Sequence, residues 1–152
     1  MIKLDLGCGP RKKAGFLGID ISDFEGVDII RDLRRGIPLS DNTVDEVWCS
    51  HIIEHFCQTD LLFLIDEIWR VCISGAAIWI ITPDATSSNA YKDPMHVSFW
   101  YPDSFDFWKI NEQSGEHIIF AGPLYQRKAK LRLDETGINS NLDRIFKLRV
   151  LK

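Results

Sequence analysis

No run of ~18 or more apolar residues occurs in the chain, so nothing in it reads as a membrane-spanning helix. The opening "MIKLDLGCGP" lacks the charged and apolar regions of a secretion signal and passes straight into a strand-like run. Cysteine is scarce: Cys8, Cys49, Cys57 and Cys72 are the only four, and none stands in a C-x-x-C pair. Their apolar surroundings predict buried reduced thiols instead of disulfides or a structural zinc site. These absences predict a soluble, cytoplasmic protein. Repeats, low-complexity tracts and linkers are lacking too. With 152 residues, 45% of them apolar, the chain is expected to form one domain over 1–152, with a full core and little room for a second.

A strong excess of one charge is also missing, since the net charge is −4, but the distribution is uneven. Residues 123–152 carry +5 and the remainder −9. A basic edge attracts anionic partners. However, "KAKLRL" alternates charged and apolar residues at period two, which predicts that Lys128, Lys130 and Arg132 form the wet face of a strand. A nucleic-acid partner is not indicated.

What the chain has is a series of short runs rich in Ile, Val and Trp, separated by helix-like or turn-like stretches. That alternation predicts an α/β fold, a Rossmann-like, doubly wound and mostly parallel sheet. Strands are expected at 2–6, 16–21, 27–30, 44–50 and 76–82. Between the last two, Leu61, Leu64, Ile65, Ile68, Trp69 and Cys72 fall on one helical stripe, with Thr59 or Asp60 as the cap and Gly75 as a left-handed stop. Pro102 and Asp103 read as the start of a further helix and Gly115 as its end. Two strands near 124–133 and 144–151, joined by "DETGINSN", predict an antiparallel hairpin at the sheet edge.

"LDLGCGP", residues 4–10, places Gly7, Cys8 and Gly9 directly after a buried strand, where open α/β sheets bind ligands and where a Cβ would obstruct close approach. The third glycine of a dinucleotide loop is replaced by Lys12, and no G-K-[ST] follows, so neither a nicotinamide or flavin loop nor a Walker loop is present. Asp20 ends the second strand in "LGIDIS", where its oxygens suit the two hydroxyls of a ribose. Asp32 follows the third in "IIRDL", where it suits an adenine amino group with Leu33 against the ring. Together they describe a nucleoside pocket without a phosphate grip. "HIIEHF", residues 51–56, has the letters of a zinc pair, because on a helix His51 and His55 would share a face. Those letters alone leave the matter open.

In this order and spacing, residues 2–105 resemble the class I S-adenosylmethionine-dependent methyltransferases. "LDLGCGP" is similar to their glycine loop and "GIDIS" to their ribose acid. "DLRRGIPLSDNTVDEVWCSHIIEHF" is similar to the adenine-side acid and fourth strand, and "LLFLIDEIWRVCISGAAIWIITPD" to the helix and fifth strand. The resemblance implies S-adenosyl-L-methionine as cofactor. It implies a binding set of Asp5, Gly7, Cys8, Gly9, Asp20, Ile21, Asp32, Leu33 and Ser50, with Asp5 and the loop amides at the methionine end and Asp20 on the ribose. It also places the E-H pair of "HIIEHF" beside the active site, so zinc peptidase chemistry is not expected and no metal ligand set is assigned.

The chain departs from that family in three places. The segment holding Pro10 and Gly15 is too short for the usual first helix, which is expected to shrink to a turn. "SGAA" at 74–77 replaces the common proline-glycine-glycine. No roofing helices precede the first strand, so an open site or one completed by a second chain, as in a homodimer, is expected. His51, His55 and His96 are the candidate catalytic residues, because imidazole titrates near neutrality, and Glu54 is a further acid-base candidate. Each has an ordinary alternative as a cap or loop hydrogen bonder. Phe99, Trp100 and Tyr101 are expected either to line the acceptor wall or to pack in the core. The acceptor is expected to be a small molecule, a sugar or a lipid precursor, since neither an N-P-P-Y-like tetrapeptide nor a Pro-Cys loop is present. The alternative is a reduced, non-catalytic binding module with the same fold.

Overall fold

The computed structural model describes residues 1–111, 113–117 and 128–152. Among the described residues seven strands form one sheet: β1 (Ile2–Leu6), β2 (Leu17–Asp20), β3 (Ile29–Ile30), β4 (Val44–Ser50), β5 (Cys72–Pro83), β6 (Leu131–Ile138) and β7 (Asp143–Val150). Their order is β3-β2-β1-β4-β5-β7-β6, with β1 to β5 parallel and β7 antiparallel to both of its neighbours. The α/β, mostly parallel sheet with an antiparallel edge hairpin is therefore the observed fold. No helix of the described residues is long and apolar enough to cross a membrane.

β1 is central, and Leu4, Asp5 and Leu6 are all buried, as expected for a parallel strand covered on both faces. In β4, by contrast, Val44, Val47 and Cys49 are buried while Trp48 is half-buried. Val47 and Cys49 share the main core with Leu64, Ile65 and Ile68 of the long helix α1 (Gln58–Val71). Each such side chain contributes about 1.5–3 kcal/mol on burial. Trp48 pairs with Trp79 on β5, ring centroids 6.3 Å apart, beneath the ammonium groups of Lys13 and Lys147.

The crossover from β1 to β2 is a single 3-10 turn at Gly9–Arg11, the contraction that Pro10 and Gly15 predict. Other expectations need correction. The cap of helix α1 lies two residues before Thr59 and three before Asp60: Cys57 is the N-cap, without a side-chain capping bond, and Asp60 lies in the first turn, where a carboxylate favours the helix dipole. Cys57 is exposed, whereas Cys8, Cys49 and Cys72 are the buried free thiols, and burial pushes Cys72 up to about 12. Gly75 does not stop the helix. The chain enters β5 directly at Cys72, and the left-handed Gly75 (φ 82°) lies where the β4–β5 register slips, between the Val44↔Cys72 and Glu46↔Ala77 pairs.

The helix expected from Pro102 to Gly115 is only a 3-10 segment, Ser104–Trp108. Its Phe105 packs against Phe146 of β7 at 4.7 Å and against Trp100 at 5.0 Å, so tertiary aromatic packing fixes this stretch. Trp100 is thus a core residue, while Phe99 and Tyr101 are exposed. β6 begins at Leu131 and runs on to Ile138, so most of "DETGINSN" is strand and the turn is confined to residues 139–142. The expected start of that strand at 124–127 lies outside the described residues. A short helix α2 (Asn89–Lys92) interrupts the polar loop after β5.

Candidate functional site

Two cavities open at the carboxyl ends of β1, β2 and β4, and they meet at Gly7. The first, about 380 Å³, is lined by Gly7, Asp20, Ile21, Asp32, Leu33 and His55, among others. The second, also about 380 Å³, is lined by Asp5, Cys8, Gly9, Trp48, Ser50 and His51, among others. All nine residues of the sequence-derived binding set therefore line one cavity or the other. His96 lines neither and stands behind His55, ring centroids 4.9 Å apart.

Local bonding explains how each wall is held. Asp20 is buried; its Oδ2 accepts from the Gly9 amide at 2.8 Å and its Oδ1 from the Ser22 amide at 2.9 Å, which ties the glycine loop to the end of β2. Asp5 accepts from the Lys13 amide at 2.7 Å, and burial raises its pKa above the ordinary carboxylate value. Asp32 caps the 3-10 turn Leu33–Arg35 by accepting from the Arg34 amide, and the Arg34 side chain holds its pKa below the ordinary value. Gly7 (φ 63°) and Gly9 (φ 53°) are left-handed, yet they differ in surroundings. A Cβ on Gly7 would meet Ile52 Cδ1 at 2.7 Å, whereas a Cβ on Gly9 would meet nothing within 4 Å and would project into open space.

His51 is also left-handed (φ 55°), and its imidazole lies between two buried carboxylates. Nδ1 is 3.4 Å from Glu54 Oε1, and Nε2 is 3.5 Å from Asp143 Oδ2. The Glu54 carboxylate raises the pKa of His51 against the opposing effect of burial, with Asp143 adding to it. His55 and His96 are held differently. His55 Nδ1 faces the Met95 carbonyl at 3.2 Å, and His96 Nδ1 faces the Ala90 carbonyl at 3.0 Å. The helical pairing of His51 with His55 that the letters alone would allow is not formed: the stretch is a 3-10 turn, Ile53–His55, and the two rings have separate partners.

Sequence reasoning missed Ile52, Lys13, Trp48 and Asp143. Ile52 lies in an irregular turn without periodicity, and Asp143 comes from the far end of the chain. Lys13 and Trp48 carry no motif; only the fold stacks the ammonium 3.8 Å over the ring.

The sheet order, with paired cavities at the carboxyl ends of its parallel strands, is that of an α/β protein with its candidate ligand site where open sheets bind ligands. The sequence profile of the methyltransferase-domain family matches residues 24–80. Two solved structures share the fold. A SAM-dependent methyltransferase from Archaeoglobus fulgidus is 19% identical, with a TM-score of 0.63 over 97% of this chain and 85% of that one. Another from Aquifex aeolicus is 16% identical, with a TM-score of 0.64 over 99% of this chain and 82% of that one. No curated protein matches the sequence. The profile match over residues 24–80 and the shared fold make the chain similar to the S-adenosylmethionine-dependent methyltransferases, whose cofactor is S-adenosyl-L-methionine. The residues present fit that cofactor: two buried carboxylates, Asp5 and Asp20, flank the bend, and the space a Gly9 side chain would fill is open.

Proposed function

We propose that the chain is a single-domain methyltransferase that transfers a methyl group from S-adenosyl-L-methionine to a small-molecule acceptor. When bound, the cofactor supplies an electrophilic methyl on a sulfonium. The observation that carries the reading is the pair of cavities joined at Gly7, one walled by Asp20 and Asp32 and the other by Asp5 and Gly9. A ligand with a nucleoside at one end and an amino acid at the other has this two-part requirement.

In this reading Asp20 accepts from the ribose hydroxyls, for which its oxygens keep lone pairs beyond the two amides they already accept from. Ile21 and Leu33 cover the adenine faces, and Asp32 stands at its polar edge. Asp5, Ser50 and the amides of Gly7 to Gly9 hold the methionine end. His51 receives the acceptor proton, since Glu54 and Asp143 strengthen its hold on a proton. His55 and His96 complete the acceptor side. The remaining work is to align donor and acceptor while excluding water.

Calorimetric titration of the purified chain with S-adenosyl-L-methionine tests the reading. The expected Kd is ~1 μM to submillimolar, about −8 to −5 kcal/mol, and it weakens at least tenfold in Asp20→Ala and in Asp32→Ala. Absence of heat at millimolar ligand refutes it. Turnover is then sought with a panel of hydroxyl and amine acceptors; binding without turnover on any of them favours a non-catalytic module.

A further inference from the structure

Glu54, His55 and His96 form the one group of three metal-ligating side chains that comes together among the described residues. A carboxylate oxygen and one nitrogen from each imidazole lie within 4.8 Å of one another. We propose that these three side chains bind a divalent transition-metal ion of the zinc type.

The hydrogen bonds around the cluster carry the argument. A carbonyl oxygen can only accept, so Nδ1–H of His55 donates to Met95 and Nδ1–H of His96 donates to Ala90. In the neutral ring this leaves a lone pair on Nε2 of each, the tautomer and outer-shell support that metal-bound histidines use. Glu54 is 1% exposed; Oε2 accepts from Thr82 Oγ1 at 3.1 Å, while Oε1 has only a long contact, 3.4 Å, to His51 Nδ1. A buried carboxylate oxygen held by one long contact is under-satisfied. The three side chains thus bring three acceptors together with no donor among them, which a cation would satisfy.

The frame is fixed from both sides. The Glu54 carbonyl accepts from the amides of Val97 and Ser98, which binds the turn after β4 to the loop that carries His96. Asp93 Oδ2, 3.8 Å from His96 Nε2, is a further oxygen at the rim. Tetrahedral ligation at ~2.1 Å needs donor separations of ~3.4 Å. The exposed His55 can close that difference by a side-chain rotation. Two imidazoles with a carboxylate suit zinc, cobalt or iron better than magnesium or calcium. His51 takes no part, since its ring is held between Glu54 and Asp143.

The test uses the whole chain, freed of metal with a chelator and titrated with Co²⁺ alone. A visible absorption band saturating at one equivalent is expected, with affinity falling at least 100-fold in His55→Ala and in His96→Ala. His55 is exposed, so its variant keeps the test valid even where Glu54→Gln fails to fold. No band at millimolar Co²⁺, or a band that persists in His55→Ala/His96→Ala, overturns the inference. Titration with S-adenosyl-L-methionine on the same metal-free sample reports the methyltransferase reading independently, so either can fail while the other stands.

Discussion

Replacing Gly9 with alanine separates the backbone role of the glycine loop from its role in leaving space. Gly9 is left-handed (φ 53°), so alanine there carries the left-handed penalty of about 1–2 kcal/mol. No atom lies within 4 Å of the new Cβ, so no clash adds to it. Gly7 carries the same penalty (φ 63°), but its Cβ would meet Ile52 Cδ1 at 2.7 Å, Cγ1 at 2.8 Å and Cβ at 3.1 Å. Displacing that side chain adds about 1–3 kcal/mol of overpacking. Urea melts should therefore show Gly7→Ala losing about 2–5 kcal/mol and Gly9→Ala only about 1–2 kcal/mol. Cofactor affinity should not follow that order of stability. Under the proposed function, the Gly9 Cβ occupies the space of the methionine end, so calorimetry on the still-folded Gly9→Ala should show at least a tenfold weaker Kd. Full affinity in a Gly9→Ala protein destabilised by the stated amount would refute the placement of the cofactor. Greater stability for Gly7→Ala than for Gly9→Ala would refute the packing argument.

Asp84→Asn leaves Arg144, 7% exposed and bonded to Asp84 at 2.5 and 2.7 Å, without its buried counter-charge; a loss of about 3–5 kcal/mol is expected in chemical denaturation. Burial alone would raise the Asp84 pKa, but Thr86 and Arg144 outweigh it and hold it below the ordinary value. Its stabilising contribution is therefore fully present above the unfolded value of ~3.9 and is lost as pH falls through the lower folded value, so melts of wild type and Asp84→Asn should converge in that acid range. Arg70→Ala removes the donors to the Ile37 and Leu39 carbonyls, both at 2.9 Å, and to Glu67. A loss of about 2 kcal/mol is expected by thermal melt. Leu64→Ala, at a fully buried position of α1, should cost about 2–5 kcal/mol while leaving cofactor affinity unchanged in the folded fraction; an altered Kd would show that α1 couples to the site.

The strands were legible where burial is written locally. The limits of Val44–Ser50 are legible because Val44, Val47, Trp48 and Cys49 follow closely on the turn-forming Asp41 and Asn42. The glycine loop and its acids were legible for a related reason: each stands within a few residues of the strand end that positions it. Where partners lie far along the chain, local signals misled. Gly75 has the residue type and backbone angle of a helix stop, yet pairing with β4 draws the chain into β5 first. Residues 102–115 carry helix start and stop residues, but Phe105 is anchored by Phe146 from β7. The same hairpin completes the electrostatics of the candidate site. Because β7 pairs antiparallel to β5, its first residues return to the carboxyl ends of the parallel strands. Asp143 thereby reaches His51, and Arg144 reaches Asp84 at the end of β5. A hairpin readable in sequence only as an edge closure thus delivers one carboxylate and one guanidinium to the end of the sheet where the parallel strands finish. Periodicity reveals which face of a strand is wet; only the antiparallel return determines which end of the sheet its charges serve.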